Sequence, residues 1–192
     1  VGDPDRGILI SWIGLPDNHY ASAEEDWEGS MTLPRELRIR DGHLYQYPDP
    51  EVTGLREEEM APERMLPAAG EMELLCDGDD LDLNLFTDAD GNGGLTIRYD
   101  AASKTVTIDK SGLKLRFNEA IGEKLDMPLR TPLKKLSIFI DHCSVEIFAN
   151  DGEETFTAHV YPTQEETGYT LAGNAKVKLW TYKASVKDDF VV

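Results

Sequence analysis

The chain has 192 residues, 40% of them hydrophobic, and carries 37 acidic against 19 basic side chains for a net charge of −18. That length can bury a sizeable core as one domain with room for an appendage, while the charge excludes the clustered Lys and Arg that phosphate contacts require, so no nucleic acid is expected as a partner. An acidic surface is also repelled by anionic membranes, and no run approaches the roughly 18 consecutive apolar residues of a membrane span.

Residues 8–12, Ile-Leu-Ile-Ser-Trp, predict a short apolar strand. Leu33-Pro34 introduces an extended segment over residues 37–40, closed by Asp41-Gly42, and residues 43–47 follow as a strand of mixed polarity. Pro48, Pro50, Pro62 and Pro67 then punctuate a stretch with room for only a turn or two of helix around residues 51–60, so that residues 41–69 read as a linker. From Gly70 the alternation becomes regular. Met72 and Leu74 begin it, Leu81, Leu83 and Leu85 alternate with Asp82 and Asn84, and Leu95, Ile97 and Tyr99 pair with Val106 and Ile108 across the turn 100–104. Leu113, Leu115 and Phe117 predict a further strand.

Leu136, Ile138 and Ile140 point one way, and Val145, Ile147 and Ala149 repeat the pattern after the polar turn 141–144, which makes a hairpin. Asn150-Asp151-Gly152 supplies a second turn into residues 156–161. Val177, Leu179 and Thr181 add a last strand with Trp180 and Tyr182 on its opposite face. Asp-Gly occurs four times, at 41, 77, 90 and 151, each where a strand must reverse or end. Many short strands separated by turn signals predict an all-β chain with an antiparallel β-sandwich.

The constellations that resemble reactive sites have plainer readings. Asp88-Ala89-Asp90-Gly91-Asn92-Gly93 matches the first half of a calcium loop, but the twelfth position is Tyr99 where a bidentate Glu is needed, which leaves a Gly-rich hairpin loop. Asp141-His142-Cys143-Ser144 holds the ingredients of a nucleophilic site, yet neighbours on an extended chain project to opposite faces, so a hairpin turn is the reading. Glu146 is open between a buried acid, a solvent-face residue and a domain-interface contact. His19, His43, His142 and His159 have no metal-ligand spacing, and neither a metal nor another cofactor is expected. Cys76 and Cys143 do not make a disulfide framework and read as reduced packing residues, which suits a cytoplasmic setting.

Two segments carry a family resemblance. Residues 136–163, LSIFIDHCSVEIFANDGEETFTAHVYPT, are similar to the C-terminal sandwich signature of glycoside hydrolase family 32, the invertases and sucrose-6-phosphate hydrolases. Residues 8–17, ILISWIGLPD, with Trp27-Glu28-Gly29 and SMTLPREL at 30–37, resemble the last part of that family's five-bladed propeller, and Gly14 to Asp17 is more similar to its intracellular members than to secreted levanases and inulinases. The resemblance implies a truncated blade over residues 1–40, a linker at 41–69 and a C-terminal β-sandwich at 70–192.

It also implies a retaining β-fructofuranosidase acting on sucrose, sucrose 6-phosphate or short fructo-oligosaccharides, with the sandwich contacting its own propeller and available to a second subunit as a homo-oligomer. Such enzymes need two carboxylates across the scissile bond. The family's Asn-Asp-Pro-Asn-Gly, Arg-Asp-Pro and Glu-Cys motifs are absent here, since Cys76 follows Leu75 and Cys143 follows His142. No catalytic residue is therefore assigned, and the expectation is a C-terminal portion whose nucleophile and acid lie upstream of Val1. At the place that matches the final blade, the resemblance makes Trp12 a substrate-pocket residue, because aromatic rings pack on the apolar faces of sugars, and Asp17 a rim residue. The rival reading is a stand-alone carbohydrate-binding or interaction sandwich, which an exposed row of aromatics on one sheet face would favour.

Overall fold

Regular alternation becomes strand nearly everywhere it occurs. The computed structural model describes residues 6–14, 20–25, 29–61, 65–115 and 122–184. In chain order these form β1 (Gly7–Leu9), β2 (Trp12–Ile13), a 3-10 turn (Ala21–Glu25), β3 (Ser30–Met31), β4 (Arg35–Arg40), β5 (His43–Pro48), a second 3-10 turn (Pro50–Leu55), β6 (Arg56–Met60), β7 (Gly70–Cys76) and β8 (Leu81–Thr87). Then follow β9 (Gly94–Asp100), β10 (Thr105–Gly112), β11 (Lys124–Pro128), β12 (Lys135–Asp141), β13 (Ser144–Ala149), β14 (Glu154–His159), β15 (Gly168–Ala172) and β16 (Ala175–Tyr182). Among the described residues no helix is long and apolar enough to cross a membrane.

Two large antiparallel sheets face each other, one in the order β11-β10-β9-β8-β15 and one in the order β14-β13-β12-β7-β16-β6. Period-2 projection sends Leu81, Leu83, Leu85, Ile97 and Ile108 inward from the first and Met72, Leu74, Ile138, Ile147 and Leu179 inward from the second, and all ten join one buried cluster. The fold is thus an antiparallel sandwich preceded by smaller N-terminal sheets, β1-β4-β5 and β2-β3.

The six-stranded sheet is covered on both faces. All six residues of β13 are buried, the even-numbered ones under the N-terminal segments rather than in water. There Phe139, Phe148 and Val52 form a second cluster, flanked by Leu33, Tyr47, Leu55 and Tyr182. The β4–β5 hairpin that delivers Leu33 and Tyr47 to this face turns at Asp41-Gly42, where both φ angles are positive, 50° and 72°, as a two-residue type I′ loop requires. Its Gln46 N–H donates to the Gly152 carbonyl at 3.0 Å. Gly152 has φ 87°, and a Cβ there would stand 2.0 Å from the Gln46 carbonyl oxygen, so the turn after β13 can lie on β5 only with glycine at this place.

Three elements depart from the sequence expectation. The apolar run 8–12 is divided between two sheets, β1 pairing with β4 and β2 with β3. The helical room around residues 51–60 becomes a 3-10 turn and then β6, an edge strand on β16. No strand lies at Leu113 and Leu115, and Phe117 falls outside the described residues. The strand beside β10 is instead β11, which needs only Met127 facing inward and so lacks an alternating signature.

Replacing Ile147, fully buried, with Ala should lower unfolding free energy by about 2–5 kcal/mol, whereas Leu125→Ala at a half-exposed site on β11 should cost about 1 kcal/mol or less by urea titration. A second outcome concerns acid. Burial opposes ionisation of Glu153, but hydrogen bonds from Thr131, Asn150 and the Arg130 backbone outweigh it and hold its carboxyl below the usual glutamate range. A depressed carboxylate contributes stability that is complete above the unfolded value, 4.5, and is lost as pH falls through the folded one. Glu153→Gln should therefore flatten the acid limb of stability below about pH 5, measured by denaturant midpoints against pH.

Candidate functional site

Trp12 sits at the start of a two-residue ladder, opposite Met31, with Ile13 opposite Ser30. The ladder is extended by the Thr32 N–H, which donates to the Ser11 carbonyl at 2.8 Å, and by the Ser11 N–H, which donates to the Thr32 hydroxyl at 3.0 Å. Alternation buries Ile13 and turns Trp12 and Met31 outward, 50% and 57% exposed. The strand is tied down through His159, whose Nε2 lies 2.6 Å from the Ile13 carbonyl oxygen and whose Nδ1 lies 3.1 Å from that of Cys143. The imidazole is stacked on Tyr161 at an interplanar angle of 9°. A half-exposed indole on an anchored strand can offer a ring face to a ligand. Asp17, the expected rim residue, lies outside the described residues.

Behind this hairpin the chain buries a charge pair. Glu146 and Arg35 are 4% and 5% exposed. Glu146 Oε1 accepts the Leu33 N–H at 2.6 Å, and Oε2 accepts Arg35 Nε at 3.1 Å and an Arg35 terminal nitrogen as well. That nitrogen also donates to the Thr157 hydroxyl, and the guanidinium lies 5.0 Å over the Phe148 ring. Of the three readings left open for Glu146, the geometry excludes the solvent-face one and makes it a buried acid that forms a contact between the N-terminal hairpins and the six-stranded sheet. The sequence signal was a lone acid at an even position of a strand that is apolar on both faces from Val145 onward apart from it. A cavity of about 540 Å³ opens beside it, lined in part by Met31, Leu33, Phe139, Asp141 and Glu146. Both Glu146 oxygens are engaged by protein donors, so this carboxylate is committed to holding the N-terminal hairpin on the sheet.

Asp141, Asp88 and the two cysteines that the sequence singled out are likewise engaged within the fold or exposed at a turn. Asp141 and His142 are exposed at the β12–β13 turn, where Asp141 Oδ1 accepts the His142 N–H at 2.8 Å. Burial, with Asp141 beside it, pushes the Cys143 thiol up, and burial pushes Cys76 up to about 11, so neither is a ready thiolate at neutral pH. Asp88 accepts the N–H groups of Asp90 and Asn92 and so holds its own loop. Among the described residues no cluster of three or more His, Cys, Asp or Glu could hold a metal ion.

The sequence profile "Glycosyl hydrolases family 32 C terminal" matches residues 69–188, and "Glycosyl hydrolases family 32 N-terminal domain" matches residues 2–48. The chain belongs to glycosyl hydrolase family 32. Among family 32 relatives it is 37% identical to the sucrose-6-phosphate hydrolase of Streptococcus mutans serotype c over 88% of this chain and 36% of that protein. It is 31% identical to the sucrose-6-phosphate hydrolase of Vibrio alginolyticus, over 95% of this chain and 37% of the relative. The structure of sucrose-6-phosphate hydrolase from Lactobacillus gasseri superposes with a TM-score of 0.84 at 27% identity, covering 94% of this chain and 39% of that one. A family 32 β-fructofuranosidase from Bombyx mori, at 18% identity and a TM-score of 0.75, covers 97% of this chain and 40% of its own and shares the fold. The chain thus spans less than half the length of each of these relatives.

Removing one member of the buried pair strands the other in a dry site. Glu146→Ala or Arg35→Ala alone should cost about 3–5 kcal/mol, and the double variant should cost far less than their sum, which a double-mutant cycle by chemical denaturation measures.

Proposed function

We propose that this chain is the C-terminal portion of a retaining β-fructofuranosidase that hydrolyses sucrose 6-phosphate, sucrose or short fructo-oligosaccharides, and that the chain by itself is catalytically silent. The observation that carries the reading is 37% identity across 88% of the chain to a sucrose-6-phosphate hydrolase of which it spans 36%, in a sequence lacking the family's catalytic motifs. Residues 1–40 would then belong to a propeller blade, residues 41–69 to the connection and residues 70–192 to the sandwich. In the whole enzyme, hydrolysis would proceed by double displacement between carboxylates about 5–5.5 Å apart, both supplied by the propeller. The work of this chain is mechanical and local: the Arg35–Glu146 pair fixes the blade remnant on the sandwich, and Trp12 offers its ring to the sugar. A cytoplasmic setting accords with two free thiols, and no membrane partner is proposed.

The rival module reading loses its sheet-face aromatics. Trp180 lies under the Arg56 guanidinium, 3.9 Å from its centroid, and the Tyr182 hydroxyl donates to Glu71 at 3.0 Å. Burial first, and then Glu71, raise the Tyr182 phenol, which keeps it a donor. Neither ring is a free platform.

The purified chain should release no glucose or fructose from sucrose or sucrose 6-phosphate; release that a mutation within these residues abolishes would overturn the proposal. In the longer enzyme, Trp12→Ala should raise KM for the sugar roughly three- to tenfold with little loss of stability, the scale of one aromatic contact. Unchanged kinetics would make Trp12 a packing residue only.

A further inference from the structure

The indole of Trp12 rests on a surface from which side chains are missing. Gly14 directly follows β2 and Gly29 directly precedes β3, so the two glycines flank the same end of the Trp12–Met31 ladder. The ring occupies the space the two glycines leave open. A Cβ on Gly14 would stand 2.3 Å from Trp12 Cε2 and 2.4 Å from Cζ2, and one on Gly29 would stand 2.2 Å from Nε1. These separations are far inside van der Waals contact, which for carbon begins at about 3.5 Å, so a methyl group at either position evicts the ring. Glycine is the residue that lets a neighbouring group approach the backbone this closely.

We infer that Gly14 and Gly29 are positioning residues: by forming a Cβ-free floor they set the plane and reach of the Trp12 indole, and they act on the sugar only through it. The inference rests on the proposed role of Trp12 as a sugar contact. The two positions are not equivalent. Gly29 has φ +78°, so a side chain there is strained whatever the ring does, while no such backbone restriction applies at Gly14. Gly14→Ala is therefore the cleaner probe, because the contact it disturbs is the indole itself. An aromatic ring loosely held on a two-residue ladder would spread over several rotamers, and the floor removes that freedom before a ligand arrives.

The test has two arms. In the full chain, the indole N–H resonances of the 15N-labelled protein report each tryptophan, and Trp12→Phe assigns the one from Trp12. Gly14→Ala should move the Trp12 resonance while that of Trp180, on β16 and four strands away from β14 in the six-stranded sheet, stays in place and shows that the sandwich is folded. A Trp12 resonance that does not move overturns the inference. In the longer enzyme, Gly14→Ala should raise KM by the same roughly three- to tenfold factor as Trp12→Ala, and adding it to Trp12→Ala should change nothing further. Additive effects would overturn the inference, since Gly14 would then act by another route. Should Gly14→Ala alone fail to fold, the double variant must fold, because the ring that the methyl group meets is gone; an unfolded double variant overturns the inference. If the resonance moves while neither variant alters KM, the glycine floor is upheld and it is the sugar-contact role of Trp12 that fails.

Discussion

Burying Arg35 with Glu146 is the constraint on which the arrangement of this chain turns. An ion pair removed from water stabilises a fold only when its remaining donors and acceptors are met, and breaking one partner away costs several kcal/mol. Here the carboxylate takes the Leu33 backbone N–H along with the guanidinium, and the guanidinium reaches on to Thr157. Those bonds come from β4 and the residues before it on one side and from β13 and β14 on the other. The N-terminal hairpins therefore have one register on the sheet beneath them, because sliding would leave a charge unpaired in a dry place. Hydrophobic contact around Phe148 and Tyr47 supplies area, but that attraction is non-directional, whereas the ion pair and its hydrogen bonds fix particular atoms on particular atoms.

From that placement the position of Trp12 follows. β2 lies near β14 because β4 is locked to β13, and His159 then meets the Ile13 carbonyl. Trp12, one residue away on the opposite face, is turned outward by alternation and seated by the glycines beside it. A polar lock, a histidine clamp and a glycine floor thus lie one after another between the sheet and the Trp12 ring.

The outer strands show how the same chemistry limits association. β6 is an edge of the six-stranded sheet, and its Glu57, Glu58 and Glu59 are all exposed. A run of like charges on an edge strand discourages another strand from pairing there, and the net charge of −18 acts in the same direction over the whole surface. At the opposite edge, β14 is approached by β2 and β5, so that edge is screened by the chain's own N-terminal segments.

Where one face of a strand is apolar and the other polar, alternation along the chain is enough to place it, and β7, β8, β9 and β10 were legible in this way, while β12 and β13, buried on both faces, were legible from the apolar set repeated on either side of the polar turn 141–144. Asp41-Gly42 and Asn150-Asp151-Gly152 announced their turns because positive φ angles have a compositional signature. The 28-residue signature carried the family resemblance, and with it the prospect of a missing catalytic half. Other features depended on partners distant in sequence. β11 is a strand because β10 offers it an edge, and the run through Leu113 and Leu115 is not, despite the better pattern. Glu146 could be read as solvent-facing or buried until Arg35, 111 residues away, came to stand beside it. Sequence determined the local periods and turns because these arise from neighbouring residues; which face is covered twice, which charge is paired and where the Trp12 ring lies were decided by tertiary structure, because burial, desolvation and contact are properties of residues brought together across the chain.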